Sequence, residues 1–240
     1  DAAWRDQRQR ESDAGSCLGN RRFDGINEHV MNNRENAPPD DGGAPLSPAP
    51  AGQAPSLRQL LFEPNISVNG LIDDSTVVFL LGRLEAVRQN GGDLIMELNT
   101  NGGDADAARR IALEIRLFRQ HSGRNAYCVG KTKVYSAGVT IFAAFPKPFR
   151  FLTTDAVLLV HERRMQTSVE LNGPMKSSIQ IVREQLALLE TAERLEMEGF
   201  KELVEGSSLS VDELYRRATT NCYIHAEEAL DLGIVADLLR

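Results

Sequence analysis

The chain has 240 residues, of which 42% are hydrophobic, so it can bury a sizeable core. Its formal net charge is −7 and no segment is dense in Lys and Arg, which argues against nucleic acid as a partner. No stretch reaches the roughly 18 apolar residues of a membrane span, so we expect no membrane partner. The three cysteines, Cys17, Cys128 and Cys222, are odd in number and lack metal-ligand spacing, which indicates a reducing, cytoplasmic location.

The first part of the chain, residues 1–56, is rich in Pro, Gly and Asn. Such a composition buries too little apolar surface to offset the entropy of ordering. We therefore predict a disordered N-terminal extension, with a docking arm as the alternative, followed by a folded domain over residues 57–240.

From residue 57 onward, short apolar runs alternate with segments of helical periodicity. The first of these helices has a capping position at Asp74 or Ser75 and a stop signal at Gly91. The predicted strands cover 66–70, 94–98, 126–129 and 157–160, and two further predicted helices cover 104–119 and 137–145. This alternation predicts an α/β protein with crossover connections and a largely parallel sheet.

The longest helical pattern covers residues 174–205 and has more apolar positions than one packing face requires. It is either a core helix or a helix that also packs on another subunit. A helix over 211–217, a short segment at 222–224 and a final helix from Ala226 complete the predicted elements.

Three segments could supply the parts of an acyl-transfer site, which needs a nucleophile, a base and oxyanion donors. Ser136 lies between a strand and an apolar helix, where it could be a nucleophile or an ordinary helix cap. His161 follows the strand 157–160 directly, at the strand end where α/β sheets build their sites, although a structural histidine is the alternative. Gly102 and Gly103 could expose backbone N–H groups to a substrate or could simply form a tight turn.

The order of these segments resembles the Clp protease proteolytic subunit family. The resemblance rests on four segments: Asn-Thr-Asn-Gly-Gly at 99–103, the segment 135–144 that begins with Tyr-Ser-Ala-Gly, Val-Leu-Leu-Val-His at 157–161, and the closing segment 223–235. His161 also lies 25 residues after Ser136, as expected in that family. The resemblance implies a crotonase-like (ClpP-like) α/β fold of repeated ββα units with a long helical handle.

By the same resemblance, Ser136 is the nucleophile, His161 is the general base, and the N–H groups of Gly103 and Ala137 form the oxyanion hole. Asn221 falls at the third position of the triad. The implied activity is that of a serine endopeptidase that cleaves peptides or unfolded proteins through an acyl-enzyme inside a closed homo-oligomeric ring chamber. An ATP-driven (AAA+) unfoldase is the implied partner, and no metal or organic cofactor is implied, since no ligand-spaced cluster is present.

The sequence departs from the family pattern at the third triad position, where the family has Asp. A neutral Asn221 can orient the imidazole but cannot stabilise the imidazolium, unless another carboxylate such as Asp212 or Asp231 replaces it. Thr220 stands where relatives often have an Arg that pairs between rings, and Asn101 stands where they usually have Pro. The segment between His161 and Asn221 is also longer than in the family, which enlarges the handle.

Other functions remain open from the sequence. A catalytically weak or silent structural ring subunit is favoured by Asn221, and a crotonase-type acyl-CoA enzyme would use the same paired N–H groups on a thioester enolate. A Ser-Lys dyad with Lys131 or Lys133 is a further alternative, although a lysine only three to five residues before Ser136 on a loop is poorly placed to contact the serine hydroxyl.

Overall fold

The computed structural model describes residues 56–240. The extension predicted over residues 1–56 lies outside the described residues except for its last residue, Ser56, which caps the first helix. In chain order, the elements of the described part are α1 (Leu57–Phe62), β1 (Ile66–Ile72), α2 (Asp74–Asn90), β2 (Leu94–Gly103), α3 (Ala105–Ser122), β3 (Ala126–Tyr135), α4 (Ala137–Ala143), a 3₁₀ turn (Lys147–Phe149), β4 (Arg150–Thr153), β5 (Val157–Val160), α5 (Met175–Val204), α6 (Val211–Ala218), β6 (Cys222–His225), α7 (Ala226–Asp231) and β7 (Asp237–Leu239).

These strands form one sheet that branches at β3. The path β1-β2-β3-β4-β7 is parallel throughout, which confirms the predicted largely parallel sheet. The second half of β3 leaves β4 and pairs in parallel with β5, so that Tyr135 lies opposite Leu159. Strand β6 then pairs antiparallel with β5. The branch brings the carboxyl ends of β3 and β5 side by side, immediately before Ser136 and His161.

The two crossover helices that precede the site are both capped by an aspartate and ended by a left-handed glycine. The cap of α2 is Asp73, which accepts the N–H of Thr76, and not Asp74 or Ser75 as predicted, while Gly91 ends the helix at the predicted stop. Asp104 caps α3, and Gly123 ends it in the same way. Because β2 ends one residue before the Asp104 cap, the Gly-Gly pair is fixed between a strand and a helix.

The sheet is covered on both faces. One face contributes to a large core in which Met96, Cys128 and Leu152 meet α3 and α4. Residues next to these in the strands point to the other side, as strand geometry requires, and form a small second core with α1. Its buried members are Leu61, Ile95, Val129, Phe151 and Leu239.

The long helix α5 matches the predicted handle, but most of it is not part of the core. Only Ser178, Phe200, Leu203 and Val204 are buried along its 30 residues. Large apolar side chains are exposed on the rest of the helix, namely Met175, Ile179, Ile181, Val182, Leu186, Leu188 and Leu189. The core-helix interpretation therefore holds only for the last turns, and packing of the exposed part on another subunit stays a prediction.

Three elements and two strand ends were not predicted. Helix α1 and the short strands β4 and β7 are additional to the predicted elements. Strand β2 runs through the Asn-Thr-Asn-Gly-Gly segment, beyond its predicted end at Leu98. It stays paired with β1 although the register shifts by one residue after Gly70, where Asn101 has no partner in β1. Strand β3 likewise continues to Tyr135 instead of ending in a loop.

Candidate active site

Ser136 occupies a strained turn between β3 and α4. Its backbone has φ 55° and ψ −119°, in the positive-φ region that non-glycine residues rarely adopt. The turn is held by its own backbone, since the Ser136 N–H donates to the Leu159 carbonyl at 2.8 Å and its carbonyl accepts from the Val139 N–H at 2.9 Å. A sharp strand-to-helix turn of this kind presents a side chain at the top of a sheet.

The Ser136 hydroxyl does not cap its helix. It accepts no hydrogen bond from the first turn of α4, whereas Ser210, at the equivalent position of α6, accepts one from the Glu213 N–H at 3.2 Å. Within residues 56–240, no other hydrogen bond of the Ser136 hydroxyl is formed either. Ser136 therefore does not act as the helix cap that was the alternative interpretation of this residue.

Two glycines allow the close packing around this turn. A Cβ on Gly102, which has φ 95°, would lie 2.7 Å from the Ser136 Cβ and 2.9 Å from the Tyr135 carbonyl oxygen. A Cβ on Gly103 would collide with the Ile72 carbonyl oxygen. The pair is thus required by the backbone of β1 and by the serine turn together.

His161 follows β5 directly, as the sequence predicted. Its Nδ1 lies 2.6 Å from the carbonyl oxygen of Glu162. A carbonyl oxygen can only accept, so the proton is on Nδ1 and Nε2 is the free acceptor. The ring is therefore in the tautomer that a general base needs, and its orienting partner in this structure is a backbone carbonyl.

A single cleft of about 330 Å³ brings the predicted catalytic residues together. Gly103, Ser136, Ala137 and His161 all line it. The remaining lining residues are Asp104, Ala105, Arg109, Val139, Thr140, Val160, Arg163, Arg164, Leu195, Glu196, Gly199 and Phe200. The cleft thus combines the strand ends with the start of α3 and the last third of α5, and its walls carry both apolar and charged side chains.

Asn221 is not among the residues that line this cleft. It is exposed, has φ 66°, and follows α6 with its N–H donating to the Ala218 carbonyl at 3.2 Å. Because Val160 pairs with Cys222, Asn221 lies next to His161 across the two strands. No hydrogen bond between the Asn221 side chain and His161 is present within the described part of the chain. Its role as the third triad member stays a prediction.

The structure adds a carboxylate that sequence reasoning missed. Glu196, on α5, is half-buried, lines the cleft, and accepts a hydrogen bond from the N–H of Arg163. Burial raises the pKa of Glu196, while the Arg163 N–H and the charge of His161 act in the opposite direction. The helix carries many glutamates, so nothing in the sequence distinguishes this one.

The other candidate residues lie elsewhere. Lys131 is paired with Glu97 at 2.5 Å, and neither it nor Lys133 lines the cleft. Asp212 and Asp231 do not line it either. Over residues 56–240, no group of three or more His, Cys, Asp and Glu side chains could hold a metal ion, and no helix is long and apolar enough to cross a membrane.

The sheet topology and the cleft define an α/β protein of the Clp-protease class, and comparison with known proteins agrees. The Clp protease family model matches residues 53–240, so the chain belongs to that family. It is 24% identical over 184 residues to the ATP-dependent Clp protease proteolytic subunit of Lactococcus lactis subsp. lactis (strain IL1403), covering 76% of this chain and 86% of that protein. The corresponding subunit of Streptococcus sanguinis (strain SK36) is also 24% identical, with 76% of this chain and 87% of that protein covered.

A solved structure supports the fold independently. An Asn-to-Asp mutant of ClpP1 from Listeria monocytogenes superposes with a TM-score of 0.57 at 17% identity, covering 76% of this chain and 95% of that one. The ClpP-like α/β fold implied by the resemblance is therefore confirmed.

Proposed function

We propose that the chain is a serine-type endopeptidase whose catalytic domain spans residues 57–240. Ser136 attacks the peptide carbonyl, and its proton moves to Nε2 of His161. The N–H groups of Gly103 and Ala137 stabilise the oxyanion of the tetrahedral intermediate. His161 then gives the proton to the leaving amine, and water hydrolyses the acyl-enzyme by the same route in reverse.

The observation that carries this proposal is the state of Ser136. A serine held at φ 55° costs free energy, on the order of 1–3 kcal/mol for such backbone strain. This cost is not offset by helix capping, because the hydroxyl accepts no cap hydrogen bond. The strain instead directs the side chain into a cleft that also contains a histidine with a free Nε2.

Covalent labelling with a fluorophosphonate probe, followed by intact-mass detection, tests the proposal. We expect one modification on the parent chain and none on Ser136→Ala or His161→Ala. Ser210→Ala is the matched control, because it removes a serine from another helix start that does cap its helix. This control should label like the parent. A parent chain that never labels, also when assembled, would contradict the peptidase proposal.

We further propose that the chain acts on peptides or unfolded proteins as a homo-oligomeric ring, in the cytoplasm, with an AAA+ unfoldase as partner. The exposed apolar side chains of α5 support a subunit contact, since they would otherwise remain in water. The buried free thiols Cys128 and Cys222 fit a reducing compartment. Size-exclusion chromatography with light scattering tests the assembly, and a monomer at all concentrations would contradict it.

A silent or weakly active ring subunit is the second candidate function. It is favoured by Asn221, which is neutral, exposed and outside the cleft, so that the third triad position supplies no charge to His161. The same labelling experiment separates the two, because a silent subunit assembles but does not label. An acyl-CoA enzyme of the crotonase type would also fail to label and would instead bind a thioester.

A further inference from the structure

The candidate site has a nucleophile, a base and oxyanion donors, but its third triad position is neutral. When His161 takes the proton of Ser136, its ring becomes positively charged inside a partly enclosed cleft. The Nδ1–H of the ring is already bonded to the Glu162 carbonyl, which orients the ring but brings no full negative charge. Such a site gains from a carboxylate placed elsewhere around the ring.

Two carboxylates line the cleft, and only one of them is available. Asp104 accepts the N–H groups of Asp106 and Ala107, at 2.8 and 2.7 Å, and is committed to capping α3. Glu196 is the other. Within the described residues it forms no ion pair with a Lys or Arg side chain, because the Arg163 guanidinium is paired with Asp106 at 2.9 Å.

Glu196 is fixed close to His161 by the backbone. It accepts a hydrogen bond from the N–H of Arg163, two residues after the histidine, so the carboxylate is attached to the same short segment that carries the ring. The electrostatic interaction between Glu196 and His161 is attractive. Charged or titratable groups surround this carboxylate on every side of the cleft. They are His161, Glu162, Arg163 and Arg164 after β5, Glu193 on α5, Tyr215 on α6, and Asp104 and Arg109 at the start of α3.

We propose that Glu196 is a positioning and charge-stabilising residue for His161, and that it performs from α5 the electrostatic role that Asn221 cannot perform. The inference rests on the proposed peptidase function. The proton path is unchanged: it runs from the Ser136 hydroxyl to His161 Nε2 and on to the leaving amine. Glu196 takes no proton in this scheme, and its negative charge favours the imidazolium form during the transfer.

Ionisation of Glu196 does not by itself stabilise the fold at neutral pH. Because burial raises the pKa of Glu196, its favourable contribution to stability is present below the unfolded pKa and is lost as the pH rises through the folded pKa. Glu196→Gln keeps the size and an acceptor for the Arg163 N–H. We therefore expect this variant to be at least as stable as the parent at pH 7, so that a loss of rate cannot be assigned to unfolding.

The experiment measures the rate of fluorophosphonate labelling of Ser136 from pH 5 to 9 for the parent, Glu196→Gln and Glu193→Gln. Glu193→Gln removes the same charge from an exposed position of the same helix that does not line the cleft. For Glu196→Gln we expect a rate about tenfold lower at pH 7, with the acid limb moved to lower pH by about one unit, because a charge that stabilises the imidazolium tenfold raises its pKa by one unit. For Glu193→Gln we expect less than a twofold change.

The outcomes separate the inference from the proposed function. If the parent labels and Ser136→Ala does not, but Glu196→Gln keeps the rate and the acid limb of the parent, the inference is overturned and the peptidase proposal stands. A rate loss without any movement of the acid limb also overturns it, because a purely structural role predicts that result. If the parent itself does not label, the peptidase proposal fails and the inference fails with it. Glu196→Asp, which keeps the charge, should retain the acid limb of the parent.

Discussion

Arg150 allows a direct test of which interactions fix the helices that border the site. This residue of β4 is almost completely buried, with 2% of its surface exposed, and its guanidinium donates to four backbone carbonyls. These belong to Ala143 and Phe145 at the end of α4 and to Glu202 and Leu203 in the last turn of α5. One side chain thus joins the carboxyl ends of two of the helices that border the cleft, α4 and α5, where the helix dipoles favour a cation.

The expected cost of removing it follows from burial. Burial lowers the pKa of Arg150 to about 10, so the guanidinium is still charged at neutral pH. Arg150→Ala leaves four carbonyls without this donor and opens a cavity. A buried group that loses its partner costs about 1–3 kcal/mol, and such losses do not add fully, so we expect a decrease of about 4 kcal/mol in the free energy of unfolding.

A matched control exists in Arg124. Its guanidinium also donates to backbone carbonyls at the end of a helix, those of Val87, Arg88 and Gly92, but water can reach this site. Water replaces the lost donor there, so we expect Arg124→Ala to cost only about 1 kcal/mol. Urea unfolding at one fixed protein concentration measures both. Equal losses in the two variants would refute the reasoning, because burial would then not be the deciding factor. Arg150→Met, which retains most of the side-chain volume, should still show most of the decrease in unfolding free energy that is expected for Arg150→Ala.

Two further predictions concern charges at the ends of elements. Hydrogen bonds from Ser75 and Thr76 lower the pKa of Asp73, so the stabilising effect of the carboxylate is present above the unfolded pKa, near 4, and is lost as the pH falls through the folded pKa. Asp73→Ala should therefore lower the melting temperature at pH 7 but much less near pH 2. A decrease in melting temperature that does not depend on pH would contradict this prediction. Asn221→Asp should change the labelling rate little in the parent chain but should raise it several-fold in the Glu196→Gln background. A double-mutant cycle of labelling rates measures this coupling, and strictly additive effects would contradict a shared action of the two positions on His161.

Much of the fold was predictable because local signals and tertiary structure agree. The glycine stop after α2 was placed correctly, the start of α2 was predicted within one or two residues, and the end of α3 was predicted three residues too early. Strands β4 and β7 were missed because each has only three or four residues. In addition, β4 begins with Arg150, and an arginine in a sequence indicates an exposed position when its four carbonyl partners are not known. Burial of that arginine depends on where two distant helices end, which no local pattern contains.

The candidate site was partly predictable for a similar reason. Ser136, His161 and Gly103 follow strands, and the ends of parallel strands meet at one edge of a sheet, so their convergence follows from the fold class. The contribution of α5 does not. Whether Glu196 or one of its neighbouring glutamates faces the cleft depends on the angle at which a 30-residue helix crosses the sheet, and the sequence periodicity does not determine that angle.

The residue type at position 221 has a backbone explanation that is independent of catalysis. Asn221 lies three residues after the end of α6, in the left-handed region at φ 66°, and its N–H donates to the Ala218 carbonyl. Asn adopts this conformation more readily than almost any other non-glycine residue, so it stabilises the entry into β6. An Asp there would tolerate the same backbone less well but would bring a charge next to His161, across from Val160 and Cys222. If Glu196 supplies that charge from α5, as we propose, position 221 need not carry a charge, and its residue type is then determined by the turn.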